Sequence, residues 1–274
     1  MTIQQVLTIS RPRFWIYLLG PYLIALAAAG SWPDLTLLLF GLYLTLPANL
    51  LIYGVNDIFD RETDRLNTKK QGYETLLADK SVRPIAWTIA ASNLPFLLYL
   101  VLSLPLTANL WLLVFVVTGV GYSLPPIRAK ARPLFDSLFN ILYVAPAFAV
   151  YSTAAGQLPS VLAIVAATLW CMAMHAYSAV PDIKADTASQ TATVATLFGR
   201  QPTLWLCGLA YTAAAGLSYY LIGWPALIGG AVYLVLIVLS LRTNTNEQLF
   251  RLYTWFPIVN TVLGAGLFFA VLLS

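Results

Sequence analysis

Asn56-Asp57-Ile58-Phe59-Asp60-Arg61-Glu62-Thr63-Asp64 follows directly on a long apolar run and reads N-D-x-x-D-x-x-x-D. On a helix, Asn56, Asp60 and Asp64 fall at i, i+4 and i+8, with Asp57 three residues before Asp60. All four polar side chains then share one face. Carboxylates so placed repel one another, and nothing about folding asks for them. A divalent cation with hard oxygen ligands relieves that repulsion, and Mg²⁺ in particular takes one or two carboxylates and leaves positions for water and substrate phosphate. The competing reading is a solvated helix end that happens to be acidic. A second pair weighs against it: Asp182 and Asp186 are again four residues apart and again follow a long apolar run.

The surroundings of these clusters are apolar throughout. The chain has 274 residues, of which 59% are hydrophobic and only 9% charged, and its mean hydropathy is +0.78. A soluble domain carries about 25% charged residues, so the composition is that of an integral membrane protein. Arg11 and Arg13 precede the first apolar run, but no small-residue cleavage site and polar domain follow, so the first span is expected to be retained. The net charge of +4 is modest, and no nucleic-acid partner is expected. Cys171 and Cys207 lie inside apolar runs without metal-ligand spacing, which points to packing.

Runs near the ~20 residues needed to cross a bilayer occur nine times, around 14–30, 35–55, 85–104, 108–124, 134–154, 159–179, 203–222, 225–241 and 253–273. Every Lys and Arg lies before the first run or in the loops after the second, fourth, sixth and eighth. The positive-inside rule then puts the N-terminus in the cytoplasm and the C-terminus on the far side. Ten of the eleven acids share the cytoplasmic side, with Asp34 the exception. The two acidic clusters, four spans apart, hint at an internal repeat. Parallel repeats of this kind occur in transporters too.

Two such clusters facing one another can hold two Mg²⁺ ions bridging a diphosphate, with Lys or Arg completing the clamp. The candidates are Lys69 and Lys70 after the first cluster, and Arg128 and Lys130 after the fourth span. The plainer reading, that basic residues only mark the cytoplasmic face, is accepted for Arg65, Lys80, Arg132 and Arg242.

The first motif, the stretch Tyr122-Ser123-Leu124-Pro125-Pro126-Ile127-Arg128-Ala129-Lys130, the later D-x-x-x-D and the run from Thr193 to Gly199 together resemble the UbiA superfamily of intramembrane prenyltransferases. The resemblance covers essentially the whole chain as one domain, 1–274. It implies an all-α integral membrane protein with nine transmembrane helices around a central cavity that opens to the cytoplasmic side. It also implies Mg²⁺-dependent transfer of a prenyl group from an allylic diphosphate to a lipophilic acceptor. Family roles carry over to Asn56, Asp60, Asp64, Asp182 and Asp186 around Mg²⁺, and to Lys130 with Arg128 on the diphosphate. Asp57 joins the candidate metal ligands, and Lys69, Lys70 and Tyr122 the candidate diphosphate-binding residues.

Two departures narrow the resemblance. The family's usual Arg-Pro-Leu-x-x-Gly stretch is replaced by Asn67-Thr68-Lys69-Lys70-Gln71-Gly72-Tyr73-Glu74, and Lys184 occupies a middle position of the second motif that is often acidic. With Ser10-Arg11-Pro12-Arg13-Phe14-Trp15 and His175-Ala176-Tyr177-Ser178-Ala179-Val180-Pro181-Asp182-Ile183, these features are similar to the lycopene elongase branch. That branch implies dimethylallyl diphosphate as donor, the ends of lycopene as acceptor, and a prokaryotic cytoplasmic membrane. An aromatic or quinone precursor or a lipid is the alternative acceptor.

The chemistry sets further expectations. Stabilising the departing pyrophosphate lets the C–O bond ionise towards an allylic cation. Water would quench that cation, so the cavity must be dry. Phe59, Tyr122, Tyr143, Tyr177 and Trp170 offer aromatic faces to it, or simply pack. His175, the single histidine, precedes Asp182 by seven residues. It is either a base for the product cation or a packing residue. Pro181 either kinks the sixth span and re-aims Asp182 or separates two helices. The expected catalytic set is Asp60, Asp64, Asp182, Asp186, Lys130 and His175. A transporter is the reading from another class, but these acids cluster at one membrane face and no charge sits at mid-span. A non-catalytic scaffold would have no use for five aspartates at helical spacing.

Overall fold

The computed structural model describes residues 2–61 and 82–273. Among the described residues there are helices, turns and no strands. The principal helices are α1 (Ile3–Ser10), α2 (Ile16–Ala29), α3 (Leu35–Phe59), α4 (Val82–Ser103), α5 (Leu106–Gly121), α6 (Phe135–Ala154) and α7 (Val161–Ala188). They continue as α8 (Val194–Phe198), α9 (Arg200–Ile222), α10 (Trp224–Leu241) and α11 (Asn246–Leu272). Seven of these, α3, α4, α6, α7, α9, α10 and α11, are long and apolar enough to cross a membrane.

The first and fourth expected spans differ from their sequence outlines. Helix α2 lies within the first run, 14–30, and α1 precedes it as the other arm of a pair bent by 55°. The bend lies at Arg11, whose φ of 51° is left-handed, and at a 3₁₀ turn over Pro12–Phe14. Pro12 lacks the N–H that would continue α1, while Thr2 and Gln5 close a capping box at its start. Helix α5 has 16 residues, short of a full crossing, because the Ser123–Pro126 stretch turns the chain away.

The chain divides into two compact units, one of Met1–Arg128 with Ala145–Gln157, the other of Ala129–Val144 with Leu158–Ser274. In the first, the Ala-rich second half of α6 packs against α2 and α5. Its Phe148 meets Trp111 edge-on at 4.8 Å. A Cβ on Gly54 would lie 2.9 Å from Ile89, so α3 and α4 approach too closely there for a larger residue. Pro47 interrupts α3, and side chains repair the break. Buried Asn49 donates to the carbonyls of Leu44 and Thr45, and buried Asn93 to that of Pro47. Beyond the break, Leu50–Gly54 forms a fully buried π turn.

In the second unit, α9 packs against both α7 and α10. A Cβ on Gly230 would meet the Cβ of Ala215 at 2.4 Å, leaving no space for a side chain. A hydrogen-bonded chain runs from Trp170 through Tyr233 to Asn260, with lengths of 2.9 and 2.7 Å, and so joins α7, α10 and α11. Tyr211 stacks on Tyr233 at 4.3 Å. Cys171 and Cys207 are buried free thiols, in line with the packing role expected of them.

Candidate functional site

The first acidic motif grows out of the π turn. Such turns lengthen one helical turn by a residue and often sit beside functional groups. Here the turn passes directly into Val55–Phe59, and Asp60 caps the helix end. Asn56 Nδ2 donates to Asp60 Oδ2 at 2.7 Å, so the i, i+4 pair does share a face. The same amide nitrogen donates to Ser123 Oγ at 3.0 Å. With both amide hydrogens so engaged, Asn56 has only its carbonyl oxygen to offer a further partner. Asp60 itself is 6% exposed.

Asp57 turns to a different partner. Its Oδ1 lies 2.8 Å from Arg11 Nη2, an ion pair with both side chains largely buried. The Arg11 guanidinium also sits 4.6 Å from the centre of the Tyr53 ring. Nothing in the sequence spacing announces this pair, which spans 46 positions. The bend between α1 and α2 is what brings Arg11 to the motif.

Other expected residues are spread over both units. Arg128 is half-buried with a φ of 40°, and its buried Nε donates no hydrogen bond. Lys130 stands half-buried in a 3₁₀ turn over Ala129–Ala131, and Tyr122 follows the end of α5. Asp64, Lys69 and Lys70 lie outside the described residues.

The second acidic motif interrupts α7. Its helix runs to Ala179, tightens to 3₁₀ over Val180–Asp182, and resumes over Ile183–Ala188. Pro181 therefore tightens a continuing span without ending it. Asp182 and Asp186 are both half-buried. The Asp186 carbonyl accepts from the Thr191 N–H at 2.8 Å, turning the chain towards the Thr193 cap of α8. Arg200 then donates to the Ser240 and Thr243 carbonyls. Of the aromatic candidates in this unit, Tyr177 is buried with its hydroxyl 2.9 Å from Ser240 Oγ, and Trp170 is bonded to Tyr233. Both act in helix packing.

His175 has a neighbour that sequence reasoning missed. Asp136, near the start of α6, is fully buried, and its Oδ2 lies 3.7 Å from His175 Nε2. The same oxygen accepts from the Val194 N–H at 2.8 Å. The available signal was a lone acid at the head of an apolar run.

Each motif offers oxygen atoms only: the Asn56 carbonyl and the Asp60 carboxylate in one unit, the Asp182 and Asp186 carboxylates in the other. That set suits a hard cation such as Mg²⁺. Among the described residues no three of His, Cys, Asp or Glu converge on one point, and Asp64 lies outside them.

An all-helical membrane fold carrying two oxygen-rich acidic motifs fits a class, the membrane enzymes that act on phosphorylated substrates. The UbiA prenyltransferase family matches residues 14–271, and the chain belongs to that family. It is a prenyltransferase. A lycopene elongase/hydratase of Haloferax volcanii is 38% identical over 265 residues, 93% of this chain and 84% of that protein. The fold is similar to an apo UbiA homologue from Aeropyrum pernix, with TM-score 0.72 and 19% identity over 93% of this chain and 97% of the other. It is also similar to a UbiA homologue from Archaeoglobus fulgidus bound to DMAPP and Mg²⁺, with TM-score 0.68 and 18% identity over 98% of this chain and 99% of that one.

Proposed function

We propose that this prenyltransferase moves dimethylallyl groups from dimethylallyl diphosphate to the ends of lycopene, with Mg²⁺ as cofactor. The observation that carries the acceptor is the 38% identity to a lycopene elongase/hydratase along nearly the whole chain. The donor and the metal are supported by the oxygen-only motifs and by what the Archaeoglobus homologue binds. The reading keeps nine spans, with the N-terminus and both acidic clusters on the cytoplasmic side of a prokaryotic membrane.

Asn56, Asp60, Asp64, Asp182 and Asp186 would hold the metal. The engaged amide hydrogens of Asn56 make its oxygen the coordinating atom and favour this assignment. Asp57, expected among the metal ligands, is instead engaged by Arg11 and would orient the motif. Bound Mg²⁺ supplies Lewis-acid charge neutralisation for the leaving diphosphate. Arg128 and Lys130, with Lys69, Lys70 and Tyr122, bind and orient that group by charge-assisted hydrogen bonds. Apolar walls exclude water while the allylic carbon is electron-poor.

The test is a transfer assay in membranes carrying the protein, with Mg²⁺, dimethylallyl diphosphate and lycopene, read by mass for added five-carbon units. Successive gains of one and two units, abolished by EDTA, are expected. Transfer to an aromatic acid or a lipid with none to lycopene would sink the acceptor assignment and keep the enzyme class.

A further inference from the structure

Arg242 and Arg251 flank the turn that joins α10 to α11. As a sequence, Arg242 reads only as a charge marking one membrane face, and the structure adds a cavity to it. A hollow of about 340 Å³ lies there, lined by Arg242, Thr243 and Arg251 together with Leu239, Leu252 and Trp255. That volume is at the lower end of the range for small-ligand sites, about 300–1,000 Å³, and suits a polar headgroup. Both arginines are exposed. Among the described residues, neither guanidinium makes a hydrogen bond or an ion pair. Two unneutralised cations bordering one hollow repel each other, and an anion between them removes that repulsion.

The walls are fixed before a ligand arrives. The Thr243 hydroxyl accepts from Arg200 and donates to the Ser240 carbonyl at 2.7 Å. Arg200 also donates to the Thr243 carbonyl. Gln248, a further lining residue, accepts from the Asn244 N–H at 2.9 Å through its Oε1, and its own N–H donates to the Thr245 hydroxyl at 3.2 Å. Glu247, the acid of this turn, is engaged by its own backbone N–H and the Thr245 hydroxyl, and it does not line the hollow.

Helix length sets the depth. Helix α10 has 18 residues and α11 has 27. At about 1.5 Å per residue these are roughly 27 and 40 Å, against a hydrocarbon core of about 30 Å. Helix α10 therefore ends at the edge of the core. Helix α11 projects beyond it by about two turns, and its polar end is the one that carries Asn246, Glu247, Gln248 and Arg251. Both arginines thus fall at headgroup depth. One turn further in, Trp255 is 62% exposed, at the boundary level that indoles favour.

We infer that this hollow binds the phosphate of an anionic membrane lipid, with Arg242 and Arg251 on the phosphate oxygens and Leu239, Leu252 and Trp255 against the upper part of its chains. The planar fork of arginine matches phosphate oxygens in pairs. A soluble phosphate offers the same oxygens. The hollow, however, is edged by exposed Leu239 and Trp255, and at that depth lipid phosphates are the concentrated anions. The site contains none of the residues assigned to prenyl transfer, and it does not depend on which acceptor is prenylated.

The test is native mass spectrometry of the full chain in detergent, titrated with phosphatidylglycerol, phosphatidylcholine or inorganic phosphate. A one-to-one phosphatidylglycerol adduct is expected, about tenfold tighter than that of phosphatidylcholine, whose choline cation offsets its phosphate. Arg242→Gln and Arg251→Gln are each expected to weaken the adduct about tenfold, the scale of hydrogen bonds to charged groups. Arg83→Gln removes an exposed charge at the start of α4 and is expected to leave the adduct within about threefold. Neither lining arginine is bonded within the protein, so both variants should keep the wild-type thermal midpoint in lipid-free detergent. A lowered midpoint would show that the arginines hold the fold itself and would overturn the proposal. So would the absence of an adduct, or equal weakening by Arg83→Gln, which would reduce the arginines to markers of a membrane face. Equal binding of the two lipids, or displacement of phosphatidylglycerol by an equal concentration of inorganic phosphate, would overturn the assignment to an anionic lipid.

Discussion

The two acidic motifs are alike in sequence and unlike in setting. Asp60 is almost fully buried, tied to Asn56, which is in turn tied to Ser123, with the Arg11–Asp57 pair alongside. Asp182 and Asp186 are half-buried on a helix that has just passed through a tightened turn. A motif held by side chains from two other segments, Ser123 through Asn56 and Arg11 through Asp57, is aimed before any ligand arrives. A half-buried carboxylate on such a helix stays more open to solvent. The first motif is therefore the enclosed one of the two, and the second the more open.

Substitutions can break that contrast. The largest effect is expected for Asp60→Asn and Asp182→Asn, each lowering the turnover number by about 10²–10³-fold, as loss of a charge-stabilising group does. Steady-state prenyl transfer checks both, and a variant within threefold of wild type would remove that aspartate from the site. Next comes Arg11→Gln, which leaves Asp57 buried without its cation. Breaking a buried pair costs about 3 kcal/mol, seen as a lower thermal midpoint in detergent. Asp182→Asn should leave that midpoint unchanged, and equal shifts in the two would erase the contrast. Asn56→Ala is expected to raise the Mg²⁺ requirement by about 10–100-fold, the range of affinity lost with groups that support a metal site, measured by titrating Mg²⁺ in the transfer assay. The smallest effect belongs to Ser123→Ala. It removes one neutral hydrogen bond worth about 1 kcal/mol, and so raises the Mg²⁺ requirement about fivefold in the same titration.

Most of the helical plan was legible because a bilayer forces it. Apolar length and the alternation of basic loops are one-dimensional signals, and helices coincide with the long runs. The Asn56–Asp60 contact was legible for the same reason, since i, i+4 spacing is local. Contacts between distant segments were not. Arg11 reads as a charge that marks a membrane face, and only the bend at Pro12–Phe14 turns it into the partner of Asp57. Asp136 reads as a solitary acid at the start of a span, and its meeting with His175 and Val194 depends on how three segments pack. Helix α1 also escaped notice, because eight residues with mixed polarity carry little hydropathic signal.

The π turn at Leu50–Gly54 carries a consequence for chain length. All five residues are buried, and Asn56 begins just two positions later. A π turn holds one residue more than an α turn, and each α-helical residue advances the face by about 100°. Deleting any one of the five would let the helix relax to ordinary pitch with composition almost unchanged. Asn56 and Asp60 would then rotate together away from Ser123. The direction of the acidic face is thus stored as a residue count, and an indel would misdirect it where a conservative substitution would not.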